Sequence, residues 1–151
     1  MLKIALFLHV LSAIFWIGGM LFLVAVIAPY LKTLSDPKAK SQIFQVVGKQ
    51  YRKWGWVAII TLLVTGPFML LTMYPDYSIY SPSTGFGLAL TIKLALVTII
   101  VLSSFVHDFF IGPKARNSPK ISSIARVFGR ANLIIALAIV VFAVFLRFGG
   151  I

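Results

Sequence analysis

Four runs of apolar residues, each roughly 20 residues long, dominate this sequence and match the length a helix needs to cross a bilayer. They fall at about 4–28, 54–74, 86–111 and 133–148. Of the 151 residues, 60% are hydrophobic and only 11% charged, and the mean hydropathy is +1.02. A water-soluble domain carries about 25% charged residues, so a soluble globular fold is excluded. No ten-residue alternating pattern of a membrane barrel is present. The fold expected is therefore an all-α integral membrane bundle of four transmembrane helices, a single domain over residues 1–151. The first apolar run is too long for a cleavable signal and reads as a membrane helix that stays. Pro29 and Gly112-Pro113 read as the stops of the first and third spans.

The chain carries 14 Lys and Arg against 3 Asp and Glu, a net charge of +11. Nucleic acid is not the expected partner, because the charge follows the loops. The first loop holds Lys32, Lys38, Lys40, Lys49, Arg52 and Lys53; the third holds Lys114, Arg116, Lys120, Arg126 and Arg130. The second loop, 75–85, holds none. By the positive-inside rule, loops one and three are expected in the cytoplasm and both termini outside, in the inner cell membrane. Each basic loop carries a helix start, Ser35-Asp36-Pro37 and Ser118-Pro119. Behind these follow Phe44, Val47, Tyr51 and Trp54, and Ile121, Ile124 and Phe128, at helical spacing. Two amphipathic helices lying at the cytoplasmic interface are expected. Their simplest role is to fix topology; a second is to bind anionic lipid or a partner.

The two halves repeat. Each is a span, a proline, a basic amphipathic segment and a span, and His9 precedes Pro29 by the same 20 residues as Lys93 precedes Pro113. The pattern suits two hairpins of one orientation, a parallel repeat.

Ionisable groups inside a span are expensive and mark candidate sites. His9 shares a face with Ser12, Trp16, Gly19 and Met20. Lys93 shares one with Val97, Ile100, Ser104 and His107. Asn132 leads through Ala136, Ile139 and Ala143 to Arg147. The second span presents Thr61, Thr65, Met69, Thr72 and Met73. These small and polar stripes are expected to face the bundle interior. In the expected topology His9, Lys93, Arg147, Met69 and Met73 lie in the outer half, and His107 at the cytoplasmic end. His9 and His107 would stand on the order of 20 Å apart, so a haem ligated by both is excluded within one chain.

Three readings of the outer cluster compete. In the first, Lys93 and Arg147 snorkel to headgroups and His9 makes one internal hydrogen bond. In the second, His9 with Met69 and Met73 binds copper, since thioether and imidazole suit Cu(I). In the third, His9 is an axial ligand of haem b, Trp16 a neighbour of its ring, and Lys93 and Arg147 partners of its propionates. Two fixed cations repel a bound cation and attract propionates, which ranks haem b above directly bound copper. His107-Asp108 reads as an interfacial cap of the third span or as a proton-accepting pair. The chain has no cysteine and three acids, which excludes thiolate and iron–sulfur chemistry and disfavours hydrolytic acid–base catalysis. No catalytic residue is identified, and enzymatic activity stays open.

Several of these segments resemble the copper-resistance D (CopD) membrane family along nearly the whole chain. They are His9-Val10-Leu11, Trp16-Ile17-Gly18-Gly19, Ala28-Pro29, Val47-Gly48-Lys49, Tyr51-Arg52-Lys53-Trp54-Gly55-Trp56 and Thr65-Gly66. Lys93-Leu94-Ala95-Leu96, His107-Asp108-Phe109 and Gly112-Pro113 complete the set. The resemblance implies a four-helix membrane unit with a place in copper uptake or resistance. A more distant similarity, to HemJ-type protoporphyrinogen oxidases, rests on His9 with Trp16, on Lys93 and on Arg147, and implies bound haem b. The His107-Asp108-Phe109 and Gly-Pro pattern departs from it, so porphyrinogen oxidation transfers less well. The functional reading is a CopD-like protein with a haem b site, in a redox or copper-linked role. A copper-binding or uptake protein, and an accessory subunit packing into a homo-oligomer or larger membrane complex through patches such as Gly18-Gly19, are the alternatives.

Overall fold

A computed structural model describes residues 1–115 and 118–151; Arg116, counted above among the loop cations, lies outside them. Among the described residues there are helices and turns and no strand. Helix α1 (Leu2–Phe22) passes through a π-helical turn (Leu23–Ile27) into α2 (Ala28–Thr33). Helix α3 (Pro37–Met73) follows, then a short 3₁₀ turn (Tyr77–Tyr80). Helix α4 (Gly85–Val106) passes through a second π-helical turn (His107–Ile111) into α5 (Gly112–Ala115), and α6 (Pro119–Arg147) completes the order. Four helical segments are long and apolar enough to cross a membrane: Leu2–Thr33, Pro37–Met73, Gly85–Ala115 and Lys120–Arg147. The all-α, four-span architecture read from the sequence is the one observed.

Two expectations about boundaries are corrected. Pro29 and Pro113 do not stop their helices. In both places a π-turn precedes the proline, and the residue just before it donates five residues back, Ala28 to the Leu23 carbonyl and Gly112 to the His107 carbonyl. Proline lacks an N–H and its ring clashes with the carbonyl four residues earlier; a widened turn at that place lets the helix continue. The repeat reaches this detail, since each π-turn begins six residues before its proline. Nor are the amphipathic basic helices separate elements. The first runs unbroken into its span as α3, 37 residues long, and the second does so as α6, 29 residues long. No proline or turn signal stands at 53–56, and the inward face continues through Tyr51, Gly55 and Ala58, so nothing breaks the helix there. The predicted starts hold. Asp36 accepts the Lys38 N–H at 2.8 Å, and Ser118 accepts the Ile121 N–H at 3.5 Å.

The chain falls into two compact units, Met1–Met69 and Leu70–Ile151. In the first unit α3 packs on α1 around Ala5, Trp16, Gly55, Ala58, Ile59 and Thr65, all buried. Tyr51 lies against Gly19, where a Cβ would overlap its ring. Its hydroxyl donates to the Trp16 carbonyl at 2.7 Å. In the second unit α4 packs on α6 through Ile100, 1% exposed, and Ala89 and Ala136, both 0%. Asn132, buried on α6, accepts from the Ser103 hydroxyl at 2.6 Å and donates to Ser104 Oγ at 3.2 Å. Gly149 and Gly150 take φ +94° and +114° and turn the chain back, so that the Ile151 N–H donates to the Gly85 carbonyl. The outer faces of all four long helices are apolar and exposed, as lipid contact requires.

Candidate metal site on the first hairpin

His9 sits about two turns into α1, half-buried. Its Nδ1 is 2.8 Å from the hydroxyl of Thr65, a buried residue of α3. Thr65 gives its one hydroxyl proton to the Thr61 carbonyl, 2.6 Å away and one turn back. Its oxygen can therefore only accept from the ring. His9 then carries a proton on Nδ1, and a neutral imidazole held this way would have its lone pair on Nε2. A ring held through one nitrogen by a neighbour, with the other nitrogen basic, is the arrangement of metal-ligating histidines. Gly66 lies beside the same ring, with His9 Cε1 3.3 Å from where a Cβ would stand. Pro67, inside α3, removes one intrahelical hydrogen bond just beyond.

Met69 stands one turn after Thr65 on α3, half-buried, and Met73 one turn further, exposed at the helix end. Trp16 is buried against Gly55, with its indole Cδ1 3.8 Å from the Cβ position there. It fills the interface of α1 with α3. Lys93 is half-buried on α4 and Arg147 is exposed in the last turn of α6. His9, Trp16 and Met69 thus belong to the first compact unit, and Lys93, Met73 and Arg147 to the second.

His107 opens the second π-turn, with Nδ1 2.9 Å from the Asp108 carboxylate. With the ring protonated the two make an ion pair. No group of three or more His, Asp or Glu gathers to hold a metal among the described residues. A shallow groove of about 280 Å³ on the first unit is lined by Leu11, Ser12, Phe15, Trp54, Val57 and Ala58. It holds one hydroxyl and no titratable group, which leaves it no acid–base or metal chemistry.

The sequence placed Thr65 on a polar stripe without pairing it to His9. It likewise left Gly19 unpaired with Tyr51, and Asn132 with Ser103 and Ser104. The signal available was the matching of a small or hydroxyl residue on one helix to a larger polar one on the next.

Against known families, the profile of CopD, copper resistance protein D, matches residues 45–146. The chain belongs to the CopD family. It is also 38% identical over 150 residues to an uncharacterized protein of Aquifex aeolicus (strain VF5), covering 99% of this chain and 97% of that one. No solved structure matches. The CopD assignment makes this an integral membrane protein of a copper-resistance-related family, and its matched region takes in all of α4 and nearly all of α6, with most of α3.

Proposed function

We propose that this CopD-family chain handles copper in the membrane at a site built on His9, with Met69 as its thioether partner. The observation that supports this reading is the Thr65 hydroxyl, 2.8 Å from His9 Nδ1, which orients the ring. Met69 follows Thr65 by one turn on the same face of α3. Imidazole with thioether is a soft donor set suited to Cu(I), and copper here is cargo rather than a resident cofactor. Both donors belong to one compact unit, which reverses the ranking reached from charge alone. Met73 is the next thioether along α3 and a weaker candidate because it is exposed.

A second reading keeps haem b, and one observation favours it. Lys93 is a half-buried cation within a span, a position that calls for an anion. A haem propionate would answer it. Both readings assume the cytoplasmic placement of loops one and three.

An absorption spectrum of the detergent-purified protein, oxidised and dithionite-reduced, separates them when metal content is measured on the same sample. Stoichiometric copper lost in His9→Ala and Met69→Ala, without a Soret band, is the expected result. A Soret band lost in His9→Ala would replace copper by haem b. Neither cofactor in protein reloaded with copper or with haem would leave an accessory subunit of a larger complex.

A further inference from the structure

Both long second helices of the repeat carry the same exposed stripe. On α3 it runs Lys49, Lys53, Val57, Ile60, Val64, Phe68; on α6 it runs Arg126, Arg130, Ile134, Leu137, Val141, Phe145. The spacing is identical in the two helices: two cations four residues apart, then four apolar residues that continue the same face. All twelve side chains are exposed. The apolar part is the lipid-facing surface, with Val64 at 65% and Ile134 at 68% exposure. From Trp54 to the end of α3 at Met73, the helix spans about 30 Å, the thickness of the hydrocarbon core. Lys53 and Lys49 then stand about 6 and 12 Å beyond Val57 along the axis, level with the headgroups. Arg130 and Arg126 bear the same relation to Ile134.

Neither helix contains an acidic residue, and the three acids of the chain are Asp36, Asp76 and Asp108. The cations therefore find no carboxylate on their own helix. Arg126 donates to the Ser122 hydroxyl at 3.1 Å, which orients it without neutralising it. The Lys53 ammonium lies 5.8 Å from the ring centroid of Trp54, itself exposed, and tryptophan favours the headgroup zone. Two cations one turn apart on one face suit a phosphodiester, and a bilayer puts one directly beside them.

We propose that Lys49 with Lys53, and Arg126 with Arg130, are two equivalent surfaces for the headgroup of an anionic glycerophospholipid, one on each hairpin. The acyl chains lie along the apolar continuation of the same stripe. The surface is independent of the His9 site and of the direction in which the chain crosses the membrane.

The test reconstitutes the full chain in phosphatidylcholine bilayers containing a trace of spin-labelled phosphatidylglycerol or spin-labelled phosphatidylcholine. The fraction of label immobilised at the protein surface gives the relative association. Phosphatidylglycerol is expected to be preferred, and the preference to fall as salt is raised. Each neutralised cation is expected to weaken it by up to about fivefold, and each pair by up to about 25-fold. Lys49→Gln with Lys53→Gln, and Arg126→Gln with Arg130→Gln, read the two surfaces separately. Lys49→Arg with Lys53→Arg, which keeps charge and fold, retains the preference. Equal immobilisation of both lipids by the native chain would overturn the proposal, as would an unchanged preference after all four cations are neutralised. So would an equal loss on Lys32→Gln or Lys114→Gln, which lie off the stripe and report only the general charge.

Discussion

The hydroxyl of Thr65 accepts from His9 Nδ1 across 2.8 Å while giving its own proton to the Thr61 carbonyl. In a neutral ring that relay leaves Nε2 as the basic nitrogen. Thr65→Val keeps the volume and removes the relay, whereas Thr65→Ser keeps it. In the metal-free protein, ¹⁵N shifts of His9 are expected to report the Nδ1–H tautomer in the native chain and in Thr65→Ser, and a mixture in Thr65→Val. Metal affinity is expected to fall about 10–100-fold in Thr65→Val, the usual cost of losing such a partner. A single unchanged tautomer in all three proteins would show that Thr65 does not set it.

Tyr51 packs where only glycine fits on α1. A Cβ on Gly19 would overlap the ring, and the ring is held in place by its hydroxyl bond to the Trp16 carbonyl. Gly19→Ala is expected to destabilise the protein by about 1–3 kcal/mol, the range for overpacking a tight contact. In a Tyr51→Ala background the same substitution should cost close to nothing. Unfolding midpoints of the four proteins in detergent check this; an equal cost of Gly19→Ala in both backgrounds would remove the contact as the cause.

Asn132 plays the corresponding part in the second unit by bridging two adjacent hydroxyls, Ser103 and Ser104. Interhelical hydrogen bonds in membranes contribute about 0.6 kcal/mol on average and up to about 1.7 kcal/mol. Asn132→Leu, which loses both, is expected to cost about 1–2 kcal/mol on that scale. Ser103→Ala and Ser104→Ala should each cost less, and neither should add to Asn132→Leu. Additive losses in a denaturant titration would mean that the three residues do not act together.

These contacts mark the boundary of what the sequence disclosed. Span length and composition fixed four helices, because in lipid every backbone polar group must be satisfied within its own segment. The inward stripes were also legible, and Trp16, Thr65, Ile100, Ser104 and Asn132 are buried on them. Partners were not: a stripe says which face turns inward but not which level of the next helix it meets. That level depends on how far each helix runs, and Pro29 and Pro113 misled there. A proline read alone is a stop, while a proline after a π-turn is not, and the π-turn has no residue signature of its own. The separate reading of α3 as loop helix and span failed for a related reason. Its hydropathy changes at Trp54 but its periodicity does not, and periodicity governs the backbone. In the candidate site, His9 and the methionines were legible as candidates, whereas the orienting hydroxyl needed the register of α1 against α3.

The loop between α3 and α4 has its own acid dependence. Asp76 caps the 3₁₀ turn by accepting the Ser78 N–H and the Ser78 hydroxyl, each at 2.9 Å. The backbone bond first, and the hydroxyl second, hold its carboxyl below the ordinary aspartate value of 3.8. A depressed folded pKa means the cap is fully effective above 3.8 and is lost as pH falls through the lower folded value. Protection of the Ser78 amide from hydrogen exchange, corrected for intrinsic rates, is expected to hold at neutral pH and to fall below 3.8. Asp76→Asn should show a flat profile. Acid-sensitive protection that persists in Asp76→Asn would assign the effect to another group.

Orientation across the membrane is an expectation from charge placement and has a direct test. Loops one and three carry eleven of the fourteen Lys and Arg residues, and the segment around Tyr77–Tyr80 carries none. With no native cysteine, single replacements give clean reporters. Ser83 and Ser123 are both exposed and lie at opposite ends of the membrane-spanning part of the second hairpin. Ser83→Cys is expected to react with an impermeant maleimide added to intact cells, and Ser123→Cys only after the membrane is opened. The reverse pattern would put the basic loops outside, against the positive-inside rule, and would turn the His9 end of α1 toward the cytoplasm. Labelling of both from one side would break the four-span arrangement itself, because an odd number of crossings must separate the two positions.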